Sequence, residues 1–396
     1  MTENKRINVH QKAVSSIKQG SPLLTQNTFP ADISFIEGET VDLITPKGEF
    51  LAAAYLAKQN KGIGWVYSWQ ENVPFDQDFF IKQFQLALEK RTQLLADDQT
   101  NTFRLFNAEG DGIPGLTIDY YNQFAVFSWY SEGIYFYHKQ IIAAFQTVFP
   151  FIKGAYEKHR YQNDIKEASD FIFGEHAPEP LLVKENGIQY ATYLDEGWMT
   201  GIFLDQRHVR NAILEKYALG KTVLNTFSYT GAFSVAAAMG GAIQTTSVDV
   251  ANRSREKTEE QFETNGLNPD DHLIHVMDVF DYIRYAIRKE LTFDLVVVDP
   301  PSFARTKKRT FSGTKDYSDM VADLLDITAS KGTLILSSNA ANYKRKSFLE
   351  DIDKAFKKKG RAYKLLEEFG LPEDFPTPKR SDTSNYLKVN VVQLLD

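Results

Sequence analysis

From residue 181 onward the chain alternates short, continuous apolar runs with amphipathic segments, and this rhythm constrains its fold more than any other feature. Residues 222–226, 245–249, 293–298 and 333–337 read as strands, and 275–276 as the end of another. Residues 231–239, 253–265, 282–289, 321–328 and 347–358 read as the helices between them. Strands apolar on both sides need cover on both sides, so the pattern predicts a parallel, doubly wound α/β sheet. Residues 386–395 alternate in the β manner without a preceding helix, which predicts an antiparallel partner at the end. A hairpin is expected at 183–193.

The upstream half has a different grain. Residues 35–37, 40–44, 50–54 and 63–68 read as short strands punctuated by turn residues, which predicts a small β-domain over 1–75. Pro74 then precedes a helical pattern over 75–95. A strand at 102–107, the loop Glu109-Gly110-Asp111-Gly112-Ile113-Pro114-Gly115, a hairpin of 116–120 with 123–129 and a helix over 134–149 fill a central α+β domain at 76–180. Its linker is expected at 174–180, and the doubly wound domain takes 181–396. A length of 396 residues accommodates two or three such domains.

In an open α/β sheet, ligands bind at the carboxyl ends of the strands. After the first strand comes Asn225-Thr226-Phe227-Ser228-Tyr229-Thr230-Gly231, after the second Asp249, after the third Asp278, and after the fourth Asp299-Pro300-Pro301-Ser302-Phe303. Asp249 can hold a ribose diol, which suits NAD and S-adenosylmethionine alike. A dinucleotide loop needs G-x-G-x-x-G to bring amides to a pyrophosphate. Here Gly231 stands alone beside Phe227 and Tyr229, so the loop suits a ligand without phosphate. Asp278 is placed to accept from an adenine amino group. A lone Asp after a strand is also an ordinary helix N-cap, and Asp-Pro-Pro an ordinary strand-ending turn. With Pro300 and Pro301 locking the loop, Phe303 can stack on a flat base.

Taken in order, these segments resemble class I S-adenosylmethionine-dependent methyltransferases, and most closely the RlmI-type family that methylates cytosine C5 in large-subunit (23S) ribosomal RNA. Thr200-Gly201-Ile202-Phe203-Leu204-Asp205-Gln206-Arg207 and Glu185-Asn186-Gly187 carry the likeness most specifically. The resemblance implies a PUA-like RNA-binding domain, a central α/β domain and a Rossmann-like domain. It also implies ribosomal RNA or a ribosomal precursor as partner, and a homodimer, for which no residue argues. The family's cofactor positions fall on Phe203, Asp205, Arg207, Asn225, Phe227, Tyr229, Gly231, Asp249, Asp278 and Asp299. Members that make 5-methylcytosine use a cysteine thiolate just after the fifth strand. This chain has Leu336-Ser337-Ser338-Asn339 there and no cysteine at all, which closes the covalent route. The catalytic loop resembles more the guanine-N7 half of RlmKL-type enzymes, with Asp299, Pro300, Phe303 and Ser338 as the expected catalytic set.

The formal net charge is −7, yet residues 301–380 hold 17 Lys/Arg against 11 Asp/Glu, a local charge of +6. Arg305, Lys307, Lys308 and Arg309 follow the catalytic loop, and Lys344 and Arg345 the fifth strand, so these are the expected RNA contacts. A solvated face is the bland reading of such runs. His159, Arg160 and Tyr161 have no spacing that argues for a site, and no histidine pairing suggests a metal. The start of the chain predicts no signal peptide, no apolar window predicts a membrane span, and the lack of cysteine fits a cytoplasmic protein. Two other readings stay open on sequence alone. They are an RNA-binding or ribosome-assembly protein without catalysis and an NAD-dependent oxidoreductase.

Overall fold

The computed structural model describes residues 4–59, 62–161, 169–305, 310–379, 381 and 383–396. The chain divides into two compact units. The first takes Met1–Val183, Thr192–Thr200 and Glu373–Ser384, and the second Lys184–Ala191, Gly201–Pro372 and Asn385–Asp396.

The first unit holds two five-stranded sheets. One orders Lys5–Asn8, Thr40–Ile44, Phe50–Gln59, Gly62–Ser68 and Leu23–Leu24 side by side. The other orders Asp170–Gly174, Gly154–His159, Phe124–Trp129, Leu116–Tyr121 and Thr102–Asn107. Residues 35–37, expected as a strand, form none; they run into a turn in which Glu39 accepts from the Ile36 amide. The helix expected over 75–95 is two pieces, Gln77–Lys90 and Thr92–Leu95, separated at Arg91. Arg91 is fully buried and makes a bidentate pair with Asp111 at 2.9 and 2.6 Å. Asp111 also accepts from the Asn107 amide, so the acidic glycine-rich loop serves to cap this buried guanidinium. The helix expected over 134–149 is likewise split, into Glu132–Tyr135 and His138–Val148. His159 and Glu157 lie buried in the second sheet, where Glu157 accepts from Trp129 Nε1 at 2.8 Å and Tyr135 Oη at 3.2 Å.

The second unit carries the doubly wound sheet. Numbered by appearance, its seven strands lie in the order 3-2-1-4-5-7-6: Leu273–Val276, Gln244–Asp249, Thr222–Thr226, Phe293–Val298, Thr328–Ser338, Lys388–Leu394 and Tyr363–Phe369. The first five are parallel, and Lys388–Leu394 runs antiparallel to both its neighbours. The continuous apolar strands are buried on both faces, as their composition requires. The helix expected over 321–328 runs earlier, as Tyr317–Leu325, because Tyr317, Ser318 and Met320 already face the core. Strand order reverses between the first and fourth strands, which opens a crevice at their carboxyl ends.

Candidate active site

That crevice is a cavity of 320 Å³. Its walls come from residues 201–210, the loop after the first strand, and the ends of the second, third and fourth strands. Phe203, Asp205, Phe227, Tyr229, Asp249, Asp278, Asp299 and Pro300, all singled out from sequence, line it together.

The loop after the first strand is held in an uncommon backbone form. Phe227, Tyr229 and Gly231 have φ of 54, 53 and 79°. Left-handed conformations cost aromatic residues on the order of 1–3 kcal/mol each, so the surroundings must impose them. Asp249 does much of this: its Oδ2 accepts from the Tyr229 amide at 2.9 Å and its Oδ1 from the Ala251 amide at 2.9 Å. A carboxylate has about four acceptor sites, so capacity for a diol remains. Ser228 donates its amide to Val248 O at 3.0 Å, and Thr230 Oγ1 donates to Gly201 O at 2.6 Å, which ties the loop to the neighbouring wall. At Gly231 a Cβ would stand 2.5 Å from Thr258 Cγ2, so that position admits only glycine. Asn225 lies buried beneath the loop, its Nδ2 donating to Ser234 Oγ at 3.0 Å, and does not line the cavity.

Asp278 both lines the cavity and N-caps the helix Val279–Arg288, its Oδ1 accepting from Phe280 and Asp281 amides. Arg207 is buried and is not a lining residue. Arg210, which sequence reading passed over, is the single cation among the described lining residues. It is committed to buried Glu185 at 2.6 and 2.8 Å, and its Nη2 donates to Phe203 O at 2.7 Å, so it positions the wall instead of offering free charge.

Asp299 is enclosed. Burial pushes its carboxyl up to about 6, and nearby Asp205 adds to this; hydrogen bonds from Ser337 and Gln206, with the Arg210 charge, pull the other way. Ser337 Oγ donates at 2.7 Å and Gln206 Nε2 at 3.2 Å, both to Oδ1. Gln206 and Ser337 were not among the expected site residues. Gln206 sits in sequence between two that were, and Ser337 lies far along the chain, so only the fold brings them together.

The strand-ending prolines lead into a small hairpin, Phe303–Arg305 against Thr310–Ser312. Phe303 stands exposed on it, while Phe311 turns inward against Phe227 and Phe280. Ser302 Oγ donates to Asn339 Oδ1 at 2.9 Å, and Asn339 lines the cavity. Ser338 is buried away from the cavity, with its Oγ taking the Ala340 amide at 3.4 Å. Its cross-strand neighbour Lys388 donates to the carbonyls of Ala340 and Tyr386. Arg305 lies in the hairpin, and Lys307, Lys308 and Arg309 fall outside the described residues. Lys344 precedes the helix Arg345–Lys359, and Arg345 pairs with Glu368 at 3.3 Å.

The chemistry of this lining selects its ligand class. Four carboxylates, one committed guanidinium and several aromatic rings offer nothing to a pyrophosphate. They fit a ligand with a diol, an amine and positive charge, which describes S-adenosylmethionine.

Comparison with known proteins agrees. Residues 147–389 match the S-adenosylmethionine-dependent methyltransferase family and residues 7–69 a PUA-like domain. The chain is 48% identical over 393 residues to YwbD of Bacillus subtilis (strain 168), provisionally named a ribosomal RNA large subunit methyltransferase, covering 98% of this chain and 99% of that one. It is 32% identical over 362 residues to ribosomal RNA large subunit methyltransferase I of Aeromonas salmonicida (strain A449), covering 90% and 91%. A solved structure of a provisionally assigned methyltransferase complexed with S-adenosylhomocysteine superposes with a TM-score of 0.93 at 44% identity, covering 98% of this chain and all of that one. Another, from Streptococcus mutans, gives a TM-score of 0.91 at 43% identity, with coverage of 98% and 100%. The cofactor is therefore S-adenosylmethionine, not a nicotinamide dinucleotide, and the chain belongs to the S-adenosylmethionine-dependent methyltransferase family.

Proposed function

We propose that this enzyme methylates a base of large-subunit ribosomal RNA by direct transfer to a lone pair, with guanine N7 as the acceptor. The observation that carries this is the pairing of a cavity-lining Asp299-Pro300-Pro301 loop with a chain that contains no cysteine. The named relatives supply the substrate class. Cytosine C5 is a poor nucleophile that needs a thiolate adding to C6. Ser338 stands in the run where the resemblance puts the thiol, but its hydroxyl is buried and its strand neighbour Lys388 directs two of its three donors at carbonyls. Guanine N7 needs no covalent activation and loses no proton.

S-Adenosylmethionine supplies an electrophilic methyl group when bound. Asp249 and Asp278 are positioned for its ribose and adenine, and Asp205 with Phe203 for its other end. Asp299, ionised above pH 6 or so, favours the positive charge that develops on the base. Phe303, exposed on the hairpin that follows the cavity-lining loop, offers a stacking face, and Arg305 with the neighbouring basic run contacts phosphates.

In this reading residues 1–75 and 76–180 present the RNA, residues 181–396 carry the chemistry, and the chain works in the cytoplasm on ribosomal RNA or its precursor as a homodimer. Nucleosides from 23S RNA of wild-type and deletion strains, compared by mass spectrometry, test it. Loss of 7-methylguanosine is expected, and loss of 5-methylcytidine would refute the direct route. Sedimentation of the purified chain tests the dimer.

A further inference from the structure

Among the described residues, several buried side-chain atoms lack a hydrogen-bond partner, and of these only Gln206 Oε1 belongs to a residue that lines the cavity. Gln206 is 2% exposed. Its Nε2 donates to Asp299 Oδ1 at 3.2 Å and to Ser337 Oγ at 2.9 Å. An ionised carboxylate can only accept, which orients the amide with nitrogen toward Asp299 and oxygen away from it. A buried acceptor without a donor is costly, and natural sites keep one where a ligand completes it.

We propose that Gln206 Oε1 accepts a hydrogen bond from the α-ammonium of the cofactor's amino-acid tail. The inference rests on the reading of this cavity as the S-adenosylmethionine site.

Sheet order assigns the two ends of the ligand. Asp249 and Asp278 end the second and third strands, on one side of the first strand. Gln206 touches Asp299 and Ser337, which end the fourth and fifth strands on the other side. A nucleoside held by the first pair leaves its tail toward the second. The wall that carries Gln206 is joined through Gly201 to Thr230 of the first loop. The charged groups acting on Asp299 here are Asp205, which raises its proton affinity, and Arg210, which opposes this while paired to Glu185. An ammonium, with three donors and a positive charge, matches a corner of two carboxylates and one amide oxygen.

Calorimetry on the full chain without RNA tests this with two probes. S-Adenosylhomocysteine has the amino-acid tail, and 5′-methylthioadenosine lacks it. Gln206→Met, close in shape but without the acceptor, should lower S-adenosylhomocysteine affinity roughly 10- to 100-fold and leave methylthioadenosine binding unchanged. Glutamate keeps an acceptor oxygen at this place in either protonation state and, sharing a proton with Asp299, needs only one donor toward it, so Gln206→Glu should bind S-adenosylhomocysteine within a few-fold of wild type at about pH 6. Unchanged S-adenosylhomocysteine binding in Gln206→Met would overturn the proposal and point to the RNA base as donor. Equal weakening of both probes would also overturn it, as would failure of the glutamate variant to retain binding. Wild-type protein that binds neither probe would instead refute the reading of the cavity itself.

Discussion

Ser337 Oγ donates to Asp299 Oδ1 across 2.7 Å and so links the carboxyl ends of two neighbouring parallel strands, Thr328–Ser338 and Phe293–Val298, inside the cavity wall. The bond favours the ionised carboxylate, while burial favours the protonated one, and burial prevails: the carboxyl titrates at about 6.

Methyl transfer should therefore fall as pH drops through about 6, because protonation removes the negative charge that we propose faces the methylated base. Asp299→Asn should abolish this acid limb and slow transfer on the order of 100-fold at alkaline pH. Rates measured at limiting RNA and cofactor (kcat/KM), which report the groups of the free enzyme, check both. A wild-type profile flat between about pH 5 and about pH 8 would remove Asp299 from the charge argument.

The same carboxyl sets a stability trade. A group whose folded proton affinity exceeds its unfolded one stabilises the fold at low pH and loses that contribution as pH rises through the folded value. Asp299→Asn should then be more stable than wild type above pH 6 or so, by on the order of 3 kcal/mol. The advantage should shrink as pH falls through about 4 and be gone at about pH 3, where the carboxyl is protonated in both states. Urea unfolding of both proteins at the two pH values measures it.

What could be read in advance follows burial. The strands Thr222–Thr226 and Phe293–Val298 are legible to the residue because a strand covered on both faces must be apolar throughout. Tyr363–Phe369 was missed: it is the edge strand, largely exposed, and Lys364, Glu367 and Glu368 mask its pattern. Lys5–Asn8 is hidden for the same reason, being short and exposed at a sheet edge. Asp249 and Asp299 are legible as cavity residues because clefts in such a sheet open at the strand ends. The partnership of Gln206 with Ser337 is not, because no local spacing encodes a contact between residues so far apart. Asp278 shows why one residue type supports two readings, since it caps a helix and lines the cavity at once.

Gly110 should tolerate no side chain. A Cβ there would lie 1.7 Å from Pro376 O, in the segment Glu373–Ser384. That segment is also held by Arg91, which donates to Asp374 O at 2.7 Å, and by Asn107, which donates to Pro376 O at 2.8 Å. Gly110→Ala should loosen the segment, visible as faster amide exchange across residues 373–384. Asp111→Ala should cost more, about 3–5 kcal/mol, because it leaves the fully buried Arg91 guanidinium without its carboxylate. Thermal unfolding should rank the two, with Asp111→Ala the lower.

RNA affinity should depend unequally on the two basic runs, although sequence makes them look alike. Arg345 shares its guanidinium with Glu368, at 3.3 Å, and the Phe369 carbonyl, so part of its charge is already answered within the protein. Arg305 lies on the hairpin that carries exposed Phe303, directly after the loop that lines the cavity. Each cation that neutralises a phosphate contributes about 0.7–0.9 to the slope of log affinity against log salt. Changing Arg305, Lys307 and Lys308 together to alanine should flatten that slope by roughly 2–3 and leave S-adenosylhomocysteine binding intact. Arg345→Ala should change the slope by less than about 1. Phe303→Ala should weaken RNA binding without altering the slope, since stacking releases no counterions. Titrations of a 23S RNA fragment across a salt series separate the three, and equal slopes for all variants would dissociate the hairpin from phosphate contact.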